Sequence, residues 1–333
     1  MSVDSNERRR QADKIAAYDH ASTSARPAHR IIARHLWHAL RDLGFDQGRV
    51  LAVGEDAATL LGLPHTDGFS FASLAADVTA EHRPGDRLQT ARYRPHADDR
   101  FDVVIGLLPY NDVRLQDPAD VVLRRATQGR LAVTLEGLTR PGGLTAMLAS
   151  HDLMDNLYPG VRGLIHDRGD LLGAVRLPAG AHRQLPGLDL PTDLILLRRR
   201  TFNEPARGEA FTDSVTVTVE GRTASINTYY DSHPDHMLGT VATDPLAWGP
   251  TSITVTNSPD QLGDDLDRML SKIISSALRI GLTVTPTPLR GTETRRPRAP
   301  ERSPVSRAPR AHAPSRGDAD AGRRIHRHPG LER

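Results

Sequence analysis

Four short apolar runs constrain this chain more than any other feature. RVLAVG (49–54), FDVVIGLLPY (101–110), GDLLGAVRLP (169–178) and TDLILLRRR (192–200) are each bounded by glycine, proline or charge. They are too short for core helices, and they lack the polar–apolar alternation of a half-exposed strand. The first two predict buried strands, and the other two are further strand candidates. Helical segments lie between and before them. AHRIIARHLWHALRDLGF (28–45) places Ile31, Ile32, Leu36, Leu40 and Leu43 at helical spacing and ends at Gly44, a glycine suited to close a helix. ADVVLRRATQG is helical, and GRLAVTLEGLTRPGGLTAMLAS reads as helix, Pro-Gly-Gly turn and a strand from Leu144 to Ala149. GFSFASL is a weaker strand. Strands alternating with helices predict an α/β chain with a largely parallel sheet covered on both faces.

The pattern changes after Arg200. SVTVTVEG and SITVTN read as strands, and DDLDRMLSKIISSALRIGL as an amphipathic helix with Leu266, Met269, Leu270, Ile273, Ile274 and Leu278 on one face. Four segments follow: a polar stretch 1–28, an α/β domain 29–200, a smaller α+β appendage 201–285, and a tail 286–333. The tail is rich in Pro, Arg, Ala and Ser with few large apolar residues, a composition that predicts disorder. From Arg290 to Arg333 there are 12 arginines against 5 acids, a charge of +7, so the rest of the chain carries −5 within the total of +2. A mildly acidic body grips phosphate poorly; a basic tail is suited to nonspecific contact with DNA.

Composition also excludes. There is no cysteine, hence no disulfide, thiolate metal site or cysteine nucleophile. No run of about 18 apolar residues predicts a membrane span, and MSVDSNERRRQADK has no apolar stretch behind its arginines, so a cytoplasmic location is expected. Only two of the 43 basic residues are lysines, Lys14 and Lys272, and neither sits in the G-x-x-x-x-G-K setting of a phosphate-binding loop.

The ordered pieces GFDQGRVLAVG, FDVVIGLLPYND, RPGGLTAMLAS, DLLGAVRLP, TDLILLRRR and INTYYDSHPDHMLG, taken together, resemble the N-6 adenine DNA methylase family. The likeness is to the methylase part of actinobacterial plasmid and phage methylase-helicase proteins, over about three quarters of the chain. The resemblance implies a class I (Rossmann-like) S-adenosylmethionine-dependent methyltransferase fold with a smaller α+β appendage. It also places the sites. The glycine-rich cofactor turn, close to E-P-G-x-G-x-G in the family, falls on Ala52 to Ala58, with Val53, Gly54, Glu55 and Asp56 as cofactor-binding candidates; only Gly54 keeps the pattern. The acid that holds the ribose after the second strand has no counterpart in Gly68-Phe69-Ser70-Phe71-Ala72, and Asp67 and Asp77 are offset. The base-binding N-P-P-Y motif falls on Leu107-Leu108-Pro109-Tyr110. Pro109 and the stacking ring of Tyr110 remain, while Leu107 replaces the polar residue that would accept a hydrogen bond from the adenine amino group. Asn111 and Asp112 follow immediately, and either takes that role only after a register shift.

The expectations are therefore a methylase-like protein with degenerate motifs that acts by binding DNA or a protein partner. Against it stand an active DNA adenine methyltransferase with an atypical site, and a structural or regulatory module of a mobile element. S-adenosylmethionine is the cofactor if the site is active, and otherwise there is none. The oligomeric state is left open. His233 and His236 with Asp231 and Asp235 have ligand-like spacing but read as a helical turn, so no metal is expected. His326 and His328 read as solvated tail residues. Ser150-His151-Asp152 is no hydrolase triad, since adjacent residues do not face one another as that chemistry requires. Arg198-Arg199-Arg200 reads as a solvated strand exit in preference to a phosphate site.

Overall fold

The computed structural model describes residues 27–54, 56–63, 72–83, 86, 88–108, 118–179, 181, 191–244 and 252–285. All lie in one compact unit, Met1–Pro288. The tail, the start of the chain, Glu55 and the Pro109-Tyr110-Asn111 motif lie outside the described residues. Among the described residues no helix is long and apolar enough to cross a membrane.

A seven-stranded sheet organises the unit. Its strands are β1 (Gly48–Gly54), β2 (Ala72–Val78), β3 (Thr90–Arg92), β4 (Phe101–Leu107), β5 (Thr139–Ser150), β6 (Gly169–Arg176) and β7 (Thr192–Arg199), in the spatial order β3-β2-β1-β4-β5-β7-β6. This is the doubly wound order with an antiparallel seventh strand slotted between the fifth and sixth, the class I methyltransferase-like α/β fold. The sheet is less parallel than the sequence predicts. β1, β4 and β5 run parallel, but β2 and β7 are antiparallel to both of their neighbours.

The reversal of β2 has a local cause. The helix after β1, α2 (Ala57–Leu60), is a single turn. Gly62, at φ 74°, donates to Thr59 O, and Leu63 donates to Ala58 O, closing the helix after four residues. A helix this short cannot carry the chain back across the sheet, as a parallel connection requires. β2 therefore starts at the edge where β1 ends, with Ala72 opposite Gly54.

Both faces of the central strands are buried, which is why they read as continuous apolar runs. On one face Val50, Ala52, Val103, Ile105, Leu144, Ala146, Leu194 and Leu196 pack beneath the helix at 27–42 (α1) and α7 (Leu262–Arg279). α1 closes as expected: Gly44, at φ 93°, donates to Arg41 O, and Phe45 donates to Leu40 O. α7 buries Leu266, Met269, Leu270, Ile273 and Ile274, and Ile273 fits over Gly173 of β6 so closely that a Cβ there would stand 2.7 Å away. Each large side chain so buried contributes about 1.5–3 kcal/mol. The other face is covered by α3 (Pro118–Leu138), α4 (Asp152–Asp155) and α5 (Gly160–His166) together with Phe211, Tyr229 and Tyr230. Two hairpins, β8–β9 (Ser214–Val219, Arg222–Asn227) and β10–β11 (Thr240–Asp244, Ser252–Thr256), and α6 (Thr228–Ser232) complete the described elements. The expected Pro-Gly-Gly turn is an irregularity inside β5. Gly142, at φ 75°, accepts a hydrogen bond from Thr285 N, which ties the segment after α7 to the sheet.

Candidate functional site

In open α/β sheets ligands bind beyond the carboxyl ends of the strands, where the strand order reverses. Here that place lies between the ends of β1 and β4. Gly54 ends β1 at φ 136°, and a Cβ on it would stand 2.5 Å from Leu107 O and 2.7 Å from Leu107 Cβ. The one glycine kept from the cofactor pattern is thus required by the approach of β4. Val53 is buried among the residues of the second core face. Leu107 and Leu108 are 1% and 2% exposed, and Leu108 N donates to Leu148 O. Leu107, where the sequence resemblance would put the base-binding polar residue, is therefore a core residue.

Asp56 points inward. Its Oδ2 lies 2.8 Å from His29 Nδ1, and its Oδ1 accepts from Thr59 Oγ1 at 2.8 Å. The carboxylate anchors α1 and α2 to the end of β1. Because β2 is reversed, its last residues, including Asp77 opposite Arg49, lie at the far edge of the sheet from Gly54. The described residues do not fit S-adenosylmethionine. There is no open glycine cradle after β1, and the carboxyl end of β2 points away from the crevice.

A cluster of buried charge lies further along the same edge, and sequence reasoning missed it. Arg176, at the end of β6, is fully buried. It donates from Nε and Nη2 to Asp193 at 2.8 and 2.9 Å, and from Nη1 and Nη2 to Asp155 at 2.8 and 3.0 Å. The Tyr230 ring lies under the guanidinium, 4.3 Å from its carbon. Burial alone would push the Asp155 carboxyl up, but Arg176 and His151, whose Nδ1 lies 3.4 Å away, hold it below the usual carboxylate range. Asp155 also accepts from Asn227 N at 3.0 Å, while Asn227 Nδ2 donates to Met154 O and Phe211 O. The arrangement is a clamp. It fastens α4 and the 211–230 segment to the sheet, with one guanidinium shared between two carboxylates. The sequence shows an arginine ending one apolar strand and an aspartate opening another, but not that the two meet.

The INTYYDSHPDHMLG segment forms α6 and a 3-10 turn, Pro234–His236. Tyr229 accepts from Ala174 N at 3.0 Å and its hydroxyl lies 2.6 Å from His236 Nδ1. His236 stacks on His233 with centroids 5.0 Å apart, and burial lowers its pKa to about 4. Among the described residues no group of three or more His, Asp or Glu is placed to hold a metal ion.

The three arginines at the end of β7 are neither solvated nor a phosphate site. Arg198 donates to Glu204 and Thr283 O, Arg199 to the carbonyls of Glu136, Gly137 and Thr139, and Arg200 to Asp170 and Gly169 O. They close the last turn of α3 and hold two chain crossings at the amino edge of the sheet.

No family model matches the chain, and no curated protein matches it. Among solved structures, the chain is similar to a Listeria monocytogenes protein assigned to the class I S-adenosylmethionine-dependent methyltransferases (17% identity over 35% of this chain and 38% of that one, TM-score 0.27). It is similar also to the M protein of the type I restriction enzyme EcoKI (12% identity, 56% and 51%, TM-score 0.25). A third is a Vibrio vulnificus protein assigned as the modification subunit of a type I restriction enzyme (20% identity, 42% and 32%, TM-score 0.25). The chain spans about half or less of the length of each. At these identities and superpositions the fold rests on the strand order, and nothing further is carried across.

Proposed function

We propose that this chain is a methyltransferase-fold protein of the N-6 adenine DNA methylase kind that has lost methyl transfer and acts by binding DNA or a protein partner. The observation that supports this best is the contact between Gly54 and Leu107. Gly54 and Leu107, at the ends of the two strands beyond which a cofactor would lie, meet with no room for a Cβ between them, and Leu107 is a buried apolar side chain. The inward engagement of Asp56 and the reversed β2 agree with it. The intact sheet and the buried Arg176 clamp are what a binding scaffold needs, and the arginine-rich tail supplies the phosphate contacts in this reading.

The test is calorimetric titration of the folded protein with S-adenosylmethionine and, separately, with S-adenosylhomocysteine. No heat at about 0.1 mM ligand is expected, which would place any affinity weaker than millimolar to submillimolar. Micromolar binding of either would defeat the reading and return the active methyltransferase, with Asn111 at the base, to first place. DNA affinity measured against salt is the companion experiment. A slope of about −0.9 per phosphate neutralised would report the number of phosphate contacts.

A further inference from the structure

The two edges of the seven-stranded sheet are treated differently. The β6 edge is covered: Leu171 bridges to Glu209 and Arg176 to Met237. Among the described residues nothing covers the β3 edge, and all three of its residues, Thr90, Ala91 and Arg92, are exposed. The register fixes which backbone groups face outward. Tyr93 N donates to Ser73 O, and Leu74, Ala75 and Ala76 lie opposite Arg92, Ala91 and Thr90. In an antiparallel ladder hydrogen-bonded pairs alternate, so Ala91 and Tyr93 bond inward to β2. The N–H and C=O groups of Thr90 and Arg92 turn outward, four groups in a row, and no described residue pairs with them.

We propose that this edge is the interface for a second copy of the same chain, joined antiparallel through β3 about a two-fold axis at Ala91. Thr90 then lies opposite Arg92 of the other copy, and all four outward groups on each strand pair at once. Exposed edges are commonly guarded by charge, and Arg92 would guard this one if it met itself. In the two-fold register it meets Thr90.

Charge carries the argument further. Leu88 packs against the core beneath α1, so residues 88, 90, 92 and 94 share the α1 face of the sheet. The loop with Glu81, His82 and Asp86 lies on that face too, since His82 contacts Trp37 of α1. In the proposed register Arg94 of one copy stands across from residue 88 of the other, above Asp86 and Glu81. Arg94 is exposed and forms no ion pair with a described residue. The same pairing occurs twice by symmetry, as an isologous interface requires.

Sedimentation equilibrium of the full chain tests this, the expected result being a dimer of the 36.4 kDa chain. Thr90→Pro removes an outward N–H and leaves the β2–β3 bonds in place, so it is expected to give a monomer with an unchanged circular dichroism melt. Should that variant unfold, the charges decide. Arg94→Glu and Asp86→Arg are each expected to weaken dimerisation about tenfold or more, and the double variant to restore it. A monomer at about 0.1 mM, or a dimer indifferent to Thr90→Pro and to both charge reversals, overturns the proposal.

Discussion

Gly54 and Leu107 meet at the carboxyl edge of the sheet with no room for a side chain between them: a Cβ on Gly54 would lie 2.5 Å from the Leu107 carbonyl oxygen. Gly54 also sits at φ 136°, where L-residues are strained. Gly54→Ala is therefore expected to destabilise the protein by about 2–4 kcal/mol, the sum of backbone strain and overpacking. Leu107→Asn, which introduces the polar residue that the proposed methylase reading would put there, is expected to cost about 2–5 kcal/mol, through lost apolar burial and a buried amide. It is not expected to create cofactor binding. Urea denaturation of each variant checks this. A Gly54→Ala protein as stable as the parent would mean that the strand ends are looser than described.

The sheet was legible because burial on both faces forces apolar residues at consecutive positions, as in Phe101–Leu107 and Thr192–Arg199. The helix closures were legible because Gly44 marks a backbone conformation that other residues resist. The direction of β2 was not. Its residues are compatible with either orientation, and what decides is the one-turn length of α2, set by Gly62. The candidate site was legible only as departures from a family pattern. Sequence showed that Gly54 remained, but not that β4 requires it. The Arg176 clamp went unread because its three ionic partners lie far apart in the chain, at positions 155, 176 and 193, and only folding brings them within 3.0 Å.

Arg176 is expected to be the most sensitive charged position in the core. Arg176→Met keeps much of the volume but leaves Asp155 and Asp193 facing one another in a buried site. Breaking a buried ion pair from one side costs about 3–5 kcal/mol. The loss should appear as a lower urea midpoint. A change under about 1 kcal/mol would mean that water enters the clamp and the carboxylates are solvated.

Glu204 is expected to add an acid-sensitive step at the other edge of the sheet. Its partial burial raises its pKa, but Thr201 N, Thr201 Oγ1, Arg198 and Arg207 all donate to it, and together they bring the carboxyl down to about 2. The unfolded value is near 4.5. The stabilisation it supplies is present above about pH 4.5 and is lost as pH falls toward 2. Glu204→Gln is expected to be less stable at neutral pH and to shed that step. Parallel curves for parent and variant between pH 4.5 and 2 would contradict the assignment.

His236 should act in a separate window. Burial lowers its pKa from 6.5 to about 4. Between those values the unfolded chain holds one proton that the folded chain does not, so stability falls as pH drops from about 6.5 to about 4, by up to one proton's worth of slope. The structural reason is specific. Tyr229 accepts from Ala174 N and can donate only to an unprotonated His236 Nδ1, 2.6 Å away. Once His236 is protonated both ring nitrogens carry hydrogen, and the hydroxyl loses its acceptor. The groups around the ring do not reverse this. Asp235 favours the charge but is engaged by Lys272, and His233, stacked on His236, opposes it. His236→Asn keeps an acceptor near Nδ1 and removes the titration. Its stability is expected to be flat between pH 6.5 and 4 where the parent declines, measured by urea midpoints at half-unit steps. Amide exchange at Ala174 should quicken in the parent over the same range and stay constant in the variant; equal exchange in both would place the acid sensitivity elsewhere.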